Sequence, residues 1–216
     1  KIIMKTLLIL FFSLLSIFFT WQIYGLYSTN KTKEVGSEII GIKRGVFFKK
    51  YKKYRKAFVD INSMTSANNK FRVLANYIFG GNQDSSQIAM TSPVIYQLGS
   101  SSTFSFVMPD SWIDKTMPTP NDKDIKFETI TNQYVAVIEF GGFAKEEICT
   151  KKHLEMKKVL EELNIKTNDD FSVAVYQPPY QLLNRKNEIW IELTQDQVYS
   201  LFLINSIRHS FHSFKK

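Results

Sequence analysis

From Thr6 to Leu26 the chain carries no charge and is almost wholly apolar, from Ser28 to Glu38 it is polar, and near Ile39 the mixed pattern of a folded domain begins. About 20 apolar residues suffice to cross a bilayer as a helix, and this run lacks the polar face expected of a surface helix packed on a core. Further on, Ala67, Phe71, Leu74, Ala75 and Ile78 fall at offsets 0, 4, 7, 8 and 11, which lays them on one face of a helix. Thr65 and Ser66 are placed to cap its start, and Gly80-Gly81 to stop it. Ile88–Leu98 and Phe104–Met108 then read as strands. A second helix near Glu146–Leu163 carries Met156, Val159, Leu160 and Leu163 on one face, and strands near Phe171–Tyr176 and Glu188–Leu193 follow it.

The order repeats. VFFKKYKKYRKAFVDI from Val46 can be laid on IKFETITNQYVAVIEF from Ile125, pairing Phe48 with Phe127, Ala57 with Ala136 and Ile61 with Phe140 at an offset of about 79 residues. Each segment, apolar at both ends and polar in the middle, is predicted to be a hairpin, so each half reads as hairpin, helix and two strands. Helices kept apart from a mostly antiparallel sheet define an α+β fold. The predicted domain runs over 39–193, with repeats at about 39–109 and 124–193 joined by the proline-rich Asp110–Lys123. The segment 1–27 is a signal-anchor or transmembrane helix, 28–38 a tether, and 194–216 an extra tail with an apolar part and a basic part. An amphipathic membrane-surface helix and a poorly ordered extension are both compatible with that tail.

Composition narrows the class. A 216-residue chain with 44% apolar and 14% aromatic residues can bury a substantial core in one domain. One cysteine, Cys149, excludes an internal disulfide framework and any CxxC or zinc pattern. The net charge of +8 raises the possibility of nucleic-acid binding, and the run Lys49–Arg55–Lys56 with Tyr51 and Tyr54 interleaved is its best support. Its apolar flanks assign it instead to the solvated turn of the first hairpin, so no nucleic-acid partner is predicted. At the N-terminal segment a cleaved signal peptide competes with an uncleaved anchor. The run exceeds the usual apolar core of a signal peptide and no small-x-small site follows it, which favours a single-pass anchor. Trp21, Tyr24 and Tyr27 at its far end suit a membrane–water interface. The domain is expected outside the cytoplasm, although Lys31, Lys33, Lys43 and Arg44 after the run leave its side open.

Six ordered blocks then point to a family. Tyr77, Gly80 and Gly81 lead to Gln87, Ile88, Ala89, Met90, Thr91, Pro93 and Val94; after them come Phe106, Met108 and Pro109, then Pro118, Pro120 and Asn121, then Phe140–Phe143, then Tyr176, Pro178 and Pro179, and last Asn184–Trp190. In this order the blocks resemble the SOUL, or haem-binding protein, family. The resemblance implies a pseudo-two-fold, distorted barrel-like sheet with one helix from each repeat. It also implies a carrier or buffer that binds haem or another tetrapyrrole non-covalently and is not an enzyme. Leu74, Ile78 and Met90 are the expected cleft walls, and Arg185 and Lys186 the expected cations near the propionates. Some members are thought to use a histidine in the first strand, where this chain has Lys50, so the axial ligand is left unassigned. His153 is expected as a structural, partly exposed residue on the flank of the second helix, and His209 and His212 lie in the tail. No histidine of the domain is therefore expected to dominate ligation, which leaves tyrosine, methionine or water.

Other chemistry finds little footing. Ser63, Ser66, Ser85 and Ser86 have no histidine nearby in sequence and G-x-S-x-G is absent. Asp169-Asp170 reads as a turn, and neither Gly80-Gly81 nor Gly141-Gly142 belongs to a phosphate-binding motif. One alternative of another class stands. The duplicated fold resembles bacterial effector-binding domains that hold amphipathic cations, a general small-molecule or even hydrolytic role for which a buried acid, Glu139 or Glu192, would be the sign.

Overall fold

Residues 2–202 are described by the structure, a computed structural model. A long apolar helix, α1 (Ile2–Lys31), precedes β1 (Ser37–Lys43), β2 (Val46–Asp60), α2 (Ala67–Ile78), β3 (Val94–Leu98), β4 (Thr103–Val107), β5 (Lys126–Phe140), α3 (Glu146–Glu162), β6 (Phe171–Val175) and β7 (Asn187–Leu193). All strand pairs are antiparallel, in the order β1-β2-β4-β3-β6-β7-β5, and β5 returns to pair with β2. Six strands thus close a barrel, and β1 flanks it on β2. Closure removes the exposed sheet edges that an open sheet would have to protect.

The two segments predicted as hairpins are single strands of 15 residues each, β2 and β5. They pair with each other from Phe47↔Val137 to Phe58↔Lys126. The misreading has a physical cause. In a regular strand alternate residues face the same side, but here the parity changes midway, where Lys52 and Asn132 are passed over in the ladder and Asn132 takes a φ of 51°. Val46 and Phe48 therefore pack with Met156 and Leu160 of α3, whereas Ala57 and Val59 pack with Leu74 and Ile78 of α2. The break in alternation looks like a turn in one dimension. The basic run is accordingly no solvated turn: Lys49 and Lys56 are buried, as are Tyr51 and Tyr54.

The helices follow the sequence closely. Helix α2 starts and stops where its apolar spacing does, and Gly80 just beyond it takes a φ of 104° that a side chain would disfavour. Ser66 is its N-cap residue, yet its hydroxyl bonds back to Ser63 O instead of capping the helix. Strand β3 begins later than expected, because Ser92 pairs with the segment after α1: its N–H donates to Lys33 O and its carbonyl accepts from Val35 N, each at 3.0 Å. The predicted tether is thus partly docked on the domain. Of the tail, residues 195–202 are helical, with Val198 buried and the Phe202 ring set edge-on against Phe48. Gly41 makes room for that ring, which would lie 2.3 Å from an added Cβ. The basic part of the tail, with His209 and His212, lies outside the described residues.

Candidate ligand-binding site

Two groups of side chains converge between the repeats. The first surrounds a cavity of about 880 Å³, within the range of small-molecule sites. Its walls come from Met64 and Phe71 at α2, from Met90, Val94 and Tyr96 on the approach to β3 and within it, from Phe143 before α3, and from Val175 at the end of β6. The Tyr176–Tyr180 loop, Thr32, Thr91, Ser92 and Ala144 contribute the rest of its uncharged lining. The wall is mainly apolar, and two cations stand at it: Arg185, and Lys145, an exposed residue at the N-cap of α3.

Arg185 organises the wall as well as charging it. Its Nη1 donates to Pro178 O (2.7 Å) and Gln181 O (2.6 Å), its Nη2 to Gln177 O (3.2 Å) and its Nε to Gly142 O (3.2 Å). The guanidinium also lies 4.4 Å from the centre of the Phe143 ring. Most of its donors are spent on the backbone, so its positive field reaches the cavity while its geometry is fixed.

The second group fills the barrel. Glu188, on β7, is fully buried; its Oε1 accepts from Lys49 Nζ at 2.8 Å and its Oε2 from Tyr176 Oη (2.9 Å) and Trp190 Nε1 (2.6 Å). Lys49 also reaches Glu139 at 3.3 Å. Burial alone would push the Glu188 carboxyl up, but the bond and charge of Lys49, helped by Trp190 and Lys186, hold it below the usual range. Burial and the Glu188 charge push the Tyr176 phenol well above its ordinary value. Tyr176 belongs to both groups and links the cavity to the barrel interior.

The residues expected from sequence separate accordingly. Met90 and Arg185 line the cavity. Lys186 stands behind it, its Nζ 4.0 Å from the Tyr176 ring centre and 3.4 Å from Glu188 Oε1. Leu74 and Ile78 are fully buried between α2 and the sheet and do not line it; from the same helix it is Phe71 that does. Lys50 lies over the Tyr134 ring, and it too is absent from the wall. His153 is buried, not partly exposed as expected, with its ring stacked 4.1 Å from that of Phe171 beneath α3. Among the described residues the buried acid is Glu188; Glu139 and Glu192 are both exposed. Sequence reasoning missed Lys145 and Glu188. The only signal for Lys145 was its place at the start of α3, and Glu188 sits at a strand position that alternation assigns to either face.

A closed, internally duplicated α+β barrel with an apolar, cation-bearing cavity between its repeats defines the class: a small-molecule-binding barrel. A family model described as SOUL heme-binding protein matches residues 43–192. The chain belongs to the SOUL heme-binding protein family. It is 27% identical over 123 residues to heme-binding protein 1 of Sus scrofa, covering 53% of this chain and 65% of that one. With heme-binding protein 2 of Mus musculus it shares 31% identity over 130 residues, 56% of this chain and 63% of the relative. The match thus spans a little under two thirds of these relatives. In fold the chain is similar to the EcmrR C-terminal domain, with a TM-score of 0.54 at 9% identity over 69% of this chain and 96% of that one.

Proposed function

We propose that the protein is a membrane-anchored haem or tetrapyrrole binder that carries or buffers its ligand without chemistry of its own. The observation that carries this reading is the 880 Å³ apolar cavity with Lys145 and Arg185 at its wall, in a chain of the SOUL heme-binding protein family. A flat amphipathic macrocycle with carboxylate edges matches such a site: the ring meets Phe71, Met90 and Phe143, and the carboxylates meet the cations. Anchoring rests on α1, whose stretch Ile2–Tyr27 is long and apolar enough to cross a membrane. No axial ligand is needed for this mode of binding. The wall holds no histidine among the described residues, which leaves a wall tyrosine, Met64, Met90 or water for the iron.

Titration of haem into the full chain in lipid nanodiscs tests the reading. A saturable Soret shift at micromolar haem is expected, and its absence removes the proposal. Lys145→Ala should weaken haem by about fivefold to tenfold, on the order of 1 kcal/mol, and leave a propionate-esterified porphyrin unaffected. His153→Ala should leave the Soret band in place. The second reading, an amphipathic-cation site, gains a buried acid in Glu188. That carboxylate is already engaged by Lys49, which disfavours it; tighter binding of lipophilic cations than of haem would reverse the order.

A further inference from the structure

At 1.5 Å per residue the 26 residues Ile2–Tyr27 make about 39 Å of helix, some 9 Å more than the roughly 30 Å of bilayer hydrocarbon. Trp21, Tyr24 and Tyr27 at its far end mark the part that lies in the interfacial layer, with Gln22 among them. At that depth α1 holds a piece of the domain. Gln22 is only 3% exposed: its Nε2 donates to Tyr180 O at 3.2 Å, and its Oε1 accepts from Leu182 N at 3.0 Å. One residue earlier, the Trp21 ring stacks on Tyr180 with centroids 6.2 Å apart, and the Tyr180 ring also lies against Gly25. The loop that closes one side of the cavity is therefore fastened to the helix where it leaves the hydrocarbon.

The side chains of that rim face outward. Tyr180, Leu182 and Leu183, with Phe143 and Met90 across the cavity mouth, are 41% to 53% exposed. An exposed cluster of large apolar groups marks an interaction surface, and Lys145 and Arg185 beside it suit anionic headgroups. We infer that this rim docks in the interfacial layer of the membrane that holds α1, so that the cavity opens onto the bilayer surface and exchanges an amphipathic ligand with it directly. The occupant is the lipid surface, because the rim is continuous with α1 at interfacial depth. The inference rests on the reading of α1 as an anchor.

Environment-sensitive fluorophores on single introduced cysteines test it in the full chain, reconstituted in phosphatidylcholine–phosphatidylglycerol vesicles with and without nitroxide lipids. Cys149 stays unlabelled, since it is buried and its thiol is pushed up to about 11. Labels at Leu14→Cys and Leu183→Cys should be quenched, the first by a deep nitroxide and the second by a shallow one. A label at Ser101→Cys, beyond the opposite end of β3, should not. A water-like, unquenched Leu183→Cys label beside a quenched Leu14→Cys label overturns the docking and leaves the anchor standing. A shielded but unquenched Leu183→Cys label overturns it in favour of a protein partner. No quenching at Leu14→Cys removes the anchor and the rim together.

Discussion

His153 carries no ligand in this reading, yet its surroundings give it a measurable signature. Its ring is stacked on Phe171 and its Nε2 has no hydrogen-bond partner among the described residues. Burial, helped by the nearby Lys157 charge, lowers its pKa from 6.5, although Asp169 pulls the other way. A depressed basic group binds fewer protons in the folded state, so stability is fully present above the unfolded value and is lost as pH falls from about 6.5 through the folded value. Urea midpoints should therefore drop between pH 7.5 and 5.5, and the drop should shrink in His153→Phe, which keeps the stacked ring. Glu188 is more costly to disturb. Glu188→Gln strands Lys49 in the barrel with only the exposed Glu139 to face, and should lower stability by about 3 kcal/mol or more in equilibrium unfolding. Adding Lys49→Met to Glu188→Gln should recover part of that loss, because no buried charge is then left unpaired and the amide oxygen still accepts from Tyr176 and Trp190.

Elements were legible where the pattern is local. Helices α2 and α3 end within a residue of their predicted limits because an amphipathic stripe and its terminating glycine or loop are written in consecutive residues. The long strands were not, since the facing of Ala57 or Val46 depends on a helix that another part of the chain supplies. The candidate site divides the same way. The ordered blocks of the family pattern brought Met90 and Arg185 forward, and both line the cavity. Leu74 and Ile78 share a helical stripe with Phe71, but periodicity cannot say which part of a stripe meets the sheet and which the cavity. The contact of α1 with the domain is not legible in the sequence, because nothing local announces that Gln22 meets a loop near residue 180. Gln22→Leu should release that contact, and limited proteolysis of the full chain in vesicles should then cut faster between Ser28 and Gly36.

On the scale of the molecule the two halves are fastened by exchange. Between Ala57 and Val59 of β2 and Ile125 and Phe127 at the start of β5, the first just before the strand, lies the core under α2; between Val46 and Phe48 of β2 and Tyr134 and Ala136 of β5 lies the core under α3. Each repeat lends the first half of its long strand to the other repeat's helix. A fragment of residues 37–109 should accordingly stay unfolded by circular dichroism, while the intact domain melts in a single transition that bound haem moves upward. The same exchange bears on how such a chain can change over generations. A change of volume at Phe48 is felt at Met156 and Leu160, in the opposite copy, so the packing of the two descendants of the duplicated segment is shared. What was copied as one stretch of gene is inherited as two stretches that constrain each other.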